Sequence, residues 1–228
     1  AQAYLEKYGI SEETLASVSV KNHYHGSLND KAQFRKAVTI EDVMNSGRIA
    51  DPLKLLDCSP ISDGASAVII SSEDFKSSKH VYITASEVAT DTLSLHDRKS
   101  FTTLDAVVKA SGNAYKKAGV KETDINVAEI HDCFSIAEAI AVEDLGFSKR
   151  GEGARDIESG KMTIGTGKLI TNPSGGLKAC GHPVGATGIK QIVEITQQLR
   201  GDAGKRQVKN AKIGLTHNVG GSGALAVI

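Results

Sequence analysis

The sequence has no tryptophan, four prolines and three cysteines among its 228 residues, and aromatic side chains make up 4% of it. Cys58, Cys133 and Cys180 are an odd set without a CxxC pair or a secretory signal, so we expect reduced thiols and not a disulfide framework. A zinc site built from Cys133, Cys180, His131 and His182 is disfavoured, because no pair of these residues has a spacing typical of structural zinc. We therefore predict no metal.

The chain has neither an excess of one charge nor a long apolar run. Its 27 basic and 27 acidic residues give a net charge of zero, which argues against nucleic acid or an anionic membrane as a partner. No apolar run approaches the roughly 18 residues of a membrane span, and the first residues, AQAYLEKYG, show no targeting pattern. We expect a soluble, cytoplasmic protein with one large α/β domain or a domain plus an appendage.

Strand and helix patterns alternate from Leu55 onward and predict an α/β fold. Strands are predicted over 65–70, 81–88, 127–130, 212–216 and 224–228, and helices are predicted to end at Gly119, at Gly146 and near Leu199. The glycine-rich segment 148–171 reads as a loop with a short strand or turn.

Residues 1–55 follow a different pattern. One helix is predicted to end at Gly9, and a second to begin after Ser11 and run to about Val20. The polar stretch 21–55 predicts an irregular surface subdomain with one short helix over 39–44. Within that stretch His23 and His25 could hold a metal together, although two exposed loop histidines are more often plain polar surface.

A reactive cysteine is the first candidate site. Cys133 follows the predicted strand 127–130 together with His131 and Asp132, at the strand end where open α/β sheets place ligands. It also precedes a helix N-terminus, whose partial positive charge would favour a thiolate. The alternative is a buried structural cysteine, the more common fate of a lone thiol.

A restrained histidine is the second candidate. His182 lies between Gly181 and Pro183 in the glycine-rich segment NPSGGLKACGHPVGATG, residues 172–188, which runs into an apolar helix. Its backbone is restrained on both sides, so its imidazole should have a fixed direction from which it can activate a thiol or donate to an oxyanion. The alternative is a hydrogen-bonded structural histidine.

The turn HNVGGSG, residues 217–223, is the third candidate. It joins two predicted strands, and the N–H groups of Gly220 and Gly221 could form an oxyanion hole. Glycine-rich hairpin turns are also common for purely conformational reasons. Phosphate-binding patterns are missing: GTGKLI, residues 165–170, lacks the rest of a P-loop, and no GxGxxG opens a helix, which disfavours a kinase or a dehydrogenase.

In this order the three segments resemble the thiolase family, and more closely its branch similar to sterol-carrier-protein-2 thiolases and archaeal acetoacetyl-CoA thiolases. The resemblance spans nearly the whole chain. It rests on KLLDCSPISDGASAVII at 54–70, HDCFSIAEAIAVEDLGF at 131–147, GEG at 151–153, NPSGGLKACGHPVGATG at 172–188 and THNVGGSGALAVI at 216–228.

The resemblance implies acyl transfer between coenzyme A thioesters, with acyl-CoA and coenzyme A as substrates and no covalently bound cofactor. A cysteine is acylated, and the enolate of a second acetyl-CoA attacks it in a Claisen condensation, or thiolysis runs in reverse. Cys133 of HDCF would be the acid/base that moves the Cα proton. His182 would activate the nucleophile and hold the enolate oxygen with His131, and the Gly220 N–H would serve a second oxyanion hole. Asn218 stands where other thiolases carry an acid/base cysteine, in agreement with that role for Cys133.

Four further residues are predicted to contact coenzyme A. Ser59 aligns with a serine that touches pantetheine in relatives. Ser174, Gly175 and Gly176 lie in the glycine-rich segment, where missing side chains permit close approach of the backbone to a ligand.

The nucleophile itself is expected outside this chain. Thiolases take it from a CxS motif in an N-terminal half, and by resemblance this chain begins after that half would have ended. Cys58 in CSP and Cys180 beside the histidine are poor substitutes. The chain would then be a fragment, a proteolysed product or one subunit of a split enzyme.

We therefore predict an α/β fold that is the C-terminal half of a thiolase, with a mixed central sheet and helices on both faces. Residues 56–228 would form that half, and residues 1–55 the remainder of a loop subdomain that helps to bind coenzyme A. A half-chain would expose a large apolar face, so we expect association with the missing N-terminal half or another subunit and a homo-oligomer, a dimer or tetramer.

Two other functions stay open on the sequence. A thiolase-fold lyase would cleave sterol side-chain thioesters of coenzyme A without consuming free coenzyme A. A non-catalytic thiolase-like half would bind acyl-CoA or a partner protein without turnover.

Overall fold

A five-stranded mixed sheet forms the centre of the fold in the computed structural model, which describes residues 1–72, 77 and 79–228. The strands of the chain are β1 (Arg48–Ala50), β2 (Leu53–Lys54), β3 (Val88–Thr90), β4 (Val127–Ile130), β5 (Ile170–Thr171), β6 (Gly214–Val219) and β7 (Leu225–Val227). The central order is β3-β7-β6-β4-β5, and β1 pairs with β2 separately. β4 runs parallel to β5 and β6, whereas β7 is antiparallel to β6 and β3.

Helices cover both faces of this sheet. They are α1 (Gln2–Tyr8), α2 (Glu12–Ser27), α3 (Ile40–Met44), α4 (Asp105–Ala118), α5 (Ser135–Asp144), α6 (Gly153–Glu158), α7 (Gly176–Cys180) and α8 (Thr187–Arg200). Side chains alternate along β4: Ala128 and Ile130 join the core cluster that contains α4 and α5, and Val127 joins a second cluster with Ile195 of α8. The predicted α/β fold with a mixed sheet between helices is confirmed.

The N-terminal helices begin and end at the predicted signals. Gly9 ends α1 in the left-handed conformation, with φ of 60°. The Ser11 hydroxyl accepts the Thr14 N–H at 3.1 Å and caps α2. Thr39 and Asp42 form a capping box at the start of α3.

The prediction of an irregular surface subdomain over 21–55 is wrong for residues 21–27, because α2 continues to Ser27. Its last two turns are polar yet largely buried, and several of their side chains bond distant partners. His25 Nδ1 donates to the Asn172 carbonyl at 3.0 Å, and its Nε2 accepts the Ile164 N–H at 3.0 Å. His23 and His25 are therefore buried helical residues, not exposed loop histidines.

The strand predictions for 65–70 and 81–88 are also wrong, except that Val88 begins β3. Among the described residues no strand pairs with 65–70 or 81–86, and Ile69 and Ile70 are 96% and 74% exposed. Only the end of the second segment pairs, where Glu87 exchanges backbone hydrogen bonds with Ile228 and Val88 lies opposite Val227. A strand pattern needs a neighbour to supply its hydrogen bonds. The predicted loop 148–171 contains the helix α6 in addition to the short strand β5.

Candidate active site

Three loops meet at one edge of the sheet because β4, β5 and β6 run parallel there. The carboxyl ends of parallel strands lie together, and each of these strands delivers one predicted segment. His131 follows β4, Asn172 follows β5, and His217 and Asn218 lie near the end of β6. The prediction that the three segments share one site agrees with this geometry.

Two imidazoles and one amide form the centre of the site. The rings of His131 and His182 pack edge to face, with their centroids 5.1 Å apart. His131 Nδ1 lies 3.3 Å from Asn218 Oδ1. Burial lowers the pKa of His131, and the Asn218 hydrogen bond opposes the shift, so this ring is neutral at pH 7.

His182 is held as a proton acceptor. Its Nδ1 lies 2.8 Å from the Thr187 hydroxyl, and that hydroxyl donates to the Pro183 carbonyl at 3.0 Å. A carbonyl can only accept, so the hydroxyl oxygen accepts from Nδ1–H and the lone pair of His182 is on Nε2. Burial, helped by His131 and Lys190, lowers the pKa of His182 to about 4.

Cys133 is a thiol and not a thiolate in this structure. Burial and the neighbouring Asp132 raise the pKa of the Cys133 thiol to about 11, against a smaller opposing effect of Lys178. The expectation that the helix N-terminus favours a thiolate is therefore wrong, because desolvation outweighs it. The Cys133 carbonyl accepts the Ser59 N–H at 2.9 Å, which brings Ser59 beside this loop.

Two buried carboxylates hold the loops in place. Asp132 Oδ1 accepts the Leu177 N–H at 2.6 Å at the start of α7. Glu129 accepts both the N–H and the hydroxyl of Ser174, at 3.0 and 2.7 Å. Gly176 is required here, since a Cβ at this position would lie 2.4 Å from an Asp132 oxygen. Sequence reasoning missed Glu129, whose only signal is a carboxylate inside an apolar strand.

A buried ion pair supports the same carboxylate. Lys21 Nζ lies 2.5 Å from Glu138 Oε1, and the two side chains are 2% and 0% exposed. The Asn22 amide donates to both Asp132 and Glu138 at 2.7 Å. Lys178 is also buried and donates to the Asp57 carbonyl at 2.5 Å. Sequence reasoning treated Lys21 and Asn22 as surface, so this network was not predicted.

The predicted coenzyme A contacts of the glycine-rich segment are buried. Ser174 is 2% exposed, and its hydroxyl is taken by Glu129. Gly175 and Gly176 are buried too, and their N–H groups donate to Asn172 and Ser174. Contact of Ser174, Gly175 and Gly176 with coenzyme A stays a prediction. Their burial argues against it.

The predicted oxyanion donor Gly220 is engaged within its hairpin, where its N–H donates to the Leu225 carbonyl at 2.9 Å. An oxyanion role would require this hydrogen bond to open, and it stays a prediction.

Two searches of the described part of the chain found nothing. No helix in residues 1–72 and 79–228 has the length and apolar character to cross a membrane. In the same residues no group of three or more His, Cys, Asp and Glu side chains is arranged to hold a metal ion.

Comparison with known proteins identifies the family. Residues 87–228 match the family described as "Thiolase C-terminal domain-like", and residues 1–74 match "Thiolase, N-terminal domain". The chain belongs to the thiolase family. Both matches together span the three loops, so the resemblance seen in the sequence is confirmed. The expectation that this chain begins after the N-terminal half has ended is wrong, because residues 1–74 match that domain. The predicted domain division at residue 56 stays a prediction beside these two ranges.

The curated relatives are from the predicted branch. An acetyl-CoA acetyltransferase of Methanothermobacter thermautotrophicus is 54% identical over 231 residues, covering 100% of this chain and 60% of the relative. Human sterol carrier protein 2 is 44% identical over 232 residues, and the match covers 98% of this chain and 42% of the relative. The chain thus spans about 60% or less of these thiolase relatives.

Solved structures share the fold. The "Ltp2-ChsH2(DUF35) aldolase" superposes with a TM-score of 0.85 at 24% identity, covering 99% of this chain and 60% of that one. A monomeric SCP2-thiolase like protein type 1 from Mycobacterium smegmatis has a TM-score of 0.74 at 17% identity. The match covers 99% of this chain and 48% of that one. At these identities the likeness shows the thiolase fold alone.

We predict that the fold of this thiolase loses stability in acid, because His217 is buried. Burial lowers the pKa of His217 from 6.5 to about 3, so between these values the unfolded chain binds a proton that the folded chain does not. The free energy of unfolding therefore falls as the pH drops below 6.5, by about 2 kcal/mol for this residue between pH 7 and pH 5.

The measurement is urea unfolding of the native chain and of His217→Gln at both pH values. Glu129, whose pKa burial raises, titrates in the opposite sense over the same window, so the test is the difference between the two proteins. We expect the native chain to lose about 2 kcal/mol more than the variant. Equal losses would show that His217 is not held neutral.

Proposed function

We propose that this chain supplies one wall of an active site for acyl transfer between coenzyme A thioesters, by thiolysis of acetoacetyl-CoA or by Claisen condensation of acetyl-CoA. The observation that carries the proposal is the meeting of His131, His182 and Asn218 beside the Cys133 loop. Thiolase relatives named acetyl-CoA acetyltransferase support it.

His182 is proposed to activate the nucleophile. Its neutral Nε2 lone pair takes the proton of a cysteine thiol, and the resulting Nε2–H can then donate to the oxygen of an enolate or a leaving thiolate. The Thr187 hydroxyl keeps the ring in the tautomer that this step needs.

Cys133 is proposed to move the Cα proton. In the cleavage direction the thiolate of the nucleophile forms a bond to the keto carbon, the bond between that carbon and Cα breaks, and its electron pair stays on Cα as an enolate. The Cys133 thiol protonates that carbon, which releases acetyl-CoA. A pKa raised to about 11 keeps the thiol in the donating form at neutral pH. In condensation the thiolate takes the proton instead, and Asp132 opposes its formation.

The nucleophile is proposed to come from the remainder of a thiolase N-terminal domain. This chain spans only about 60% of the first relative, so the rest of that relative is long enough to contain the remainder of such a domain. Exposed apolar side chains beside His182 and at the end of the segment 61–70 fit that partner. Ile61, Ile69, Ile70 and Val184 are 74–101% exposed, and residues 62–66 and 183–186 line one open cleft.

Two substitutions test this surface. Ile69→Glu combined with Ile70→Glu should weaken association with a separately supplied thiolase N-terminal domain at least tenfold in Kd, since buried charges would replace apolar side chains. Val108→Glu is the control, because this side chain is 41% exposed on α4, which packs against β3, β7 and α5. Isothermal titration gives both values. Equal binding by both proteins would place the partner elsewhere.

The experiment for the function itself is a thiolysis assay with acetoacetyl-CoA and coenzyme A. We expect turnover by the complex of this chain with the N-terminal domain, and none by either part alone. No turnover by an assembled complex that still binds coenzyme A would favour the non-catalytic binding function. Turnover by this chain alone would move the nucleophile to Cys58 or Cys180.

A lyase is the second candidate, favoured by the structural neighbour named an aldolase. It would cleave a β-hydroxyacyl-CoA without consuming free coenzyme A, so the same complex is assayed with that substrate. Oligomeric state and a cytoplasmic location stay predictions, which mass measurement in solution and cell fractionation would check.

A further inference from the structure

The peptide bond between Gly181 and His182 is held by side chains at both of its polar ends. At the carbonyl end, Lys190 Nζ on α8 donates to the Gly181 oxygen at 3.0 Å. At the other end, the His182 N–H donates to the Ser62 hydroxyl oxygen at 3.0 Å. That hydroxyl in turn donates to Gln33 Oε1 at 2.5 Å. The direction in which the chain enters His182 is therefore set by side chains from other parts of the fold.

Lys190 also contacts both ends of α7. Its Nζ lies 3.4 Å from the carbonyl of Gly176, the first residue of this one-turn helix, and Gly181 directly follows the last one. The last carbonyls of a helix have no partner within it, so a side chain or water must supply one. Gly181 has φ of 107°, and a Cβ there would lie 2.9 Å from the Ser62 hydroxyl oxygen. The backbone before His182 is thus tightly constrained, and Lys190 bonds its carbonyls.

The same ammonium places a positive charge beside the His182 ring. Both of its hydrogen bonds go to neutral carbonyls, so neither of them cancels that charge. Burial is the largest cause of the low pKa of His182, and His131 and Lys190 add to it. Other titratable groups on the elements around His182 and Lys190 are Asp63, Glu129 and Cys180.

We propose that Lys190 is a positioning residue for His182, which fixes the carbonyl side of the Gly181–His182 peptide and places a positive charge beside the imidazole. The first action sets where the ring stands. The second disfavours protonation of the ring, because two positive charges in a half-buried site repel each other. The use of this ring as a base rests on the proposed function, whereas its position and its protonation do not.

The test is NMR of the whole native chain and of Lys190→Met, in which a side chain of similar length carries no charge. We expect the His182 amide to exchange with solvent about tenfold faster in the variant, because the freed peptide can turn away from Ser62. We also expect the protonated fraction of the His182 ring at pH 5 to be about twice the native one or more. Lys190→Arg keeps the charge, and its protonated fraction should stay close to native.

Arg200→Met is the matched control. Arg200 is the exposed last residue of α8, about 15 Å along the helix axis from Lys190, and its Nε donates to the Lys79 carbonyl. The substitution removes the same charge from the same helix, so we expect native values in both measurements. The Gly153 amide, which donates to a Glu143 oxygen at 2.9 Å, reports whether each variant is folded.

Three results would overturn the proposal. A His182 amide that exchanges in the native chain like an unprotected peptide does so without any variant. In folded Lys190→Met, a native exchange rate overturns the hold on the peptide, and a native protonated fraction overturns the role of the charge. Because these spectra need neither turnover nor a partner, failure of this proposal is distinct from failure of the proposed function.

Discussion

Cys133→Ala should lower thiolysis by the assembled complex by a factor of about 10² to 10⁴ while coenzyme A binding stays close to native. The substitution removes the one group beside Asp132 that is proposed to protonate the enolate carbon. The thiol is half-buried, and its backbone carbonyl, which accepts the Ser59 N–H, is retained by alanine. The loss is therefore expected in kcat, with KM changed little.

Cys58→Ala is the control for this prediction. Cys58 is also a half-buried thiol, and its sulfur contacts the Lys54 carbonyl at 3.4 Å and none of the groups given a chemical role. Steady-state kinetics of the two variants under identical conditions give the comparison. Loss in Cys58→Ala with full activity in Cys133→Ala would reverse the assignment of the two thiols.

Lys21→Met should destabilise the fold by about 3 to 5 kcal/mol, the cost of leaving a buried carboxylate without its cation. Glu138 is fully buried, and through Asn22 it shares a hydrogen-bond network with the second buried carboxylate, Asp132. The Lys21 ammonium also donates to Thr171 at the end of β5. Urea unfolding with linear extrapolation measures the loss.

A double variant separates charge from packing. Adding Glu138→Gln to Lys21→Met removes the unpaired charge, and we expect it to recover at least half of the lost stability. Lys161→Met is the surface control, because Lys161 pairs with Asp156 while 67% exposed, and we expect it to change the free energy of unfolding far less than Lys21→Met does. A loss below 1 kcal/mol in Lys21→Met itself would mean that Glu138 is not ionised in the fold.

Local signals in the sequence predicted much of the fold. Gly9, Ser11 and Thr39 act through hydrogen bonds within one helical turn, so their positions alone locate the helix ends. The strand β4 and its reactive residues were found for the same reason, since an apolar run followed by His131 and Cys133 lies within seven residues of sequence.

Features that depend on distant partners were not predicted. Lys21 and Asn22 read as surface because their acceptors lie more than 100 residues away. The reverse error occurred at 65–70, where a strand pattern has no neighbouring strand among the described residues. The buried Gln191 gave no signal either, because its amide bonds Asn218 and a backbone carbonyl of another element.

The most direct test of the account is deuterium incorporation at Cα of acetyl-CoA in heavy water. Once Cys133 has given its proton to the coenzyme A thiolate that leaves on acylation, its own thiolate would take the Cα proton of a bound acetyl-CoA, exchange it with solvent and return a deuteron, without any carbon–carbon bond being made. The account predicts incorporation by the assembled native complex and its loss in Cys133→Ala, with acylation of the nucleophile by acetyl-CoA retained in both. Incorporation at the native rate in acylated Cys133→Ala would contradict it.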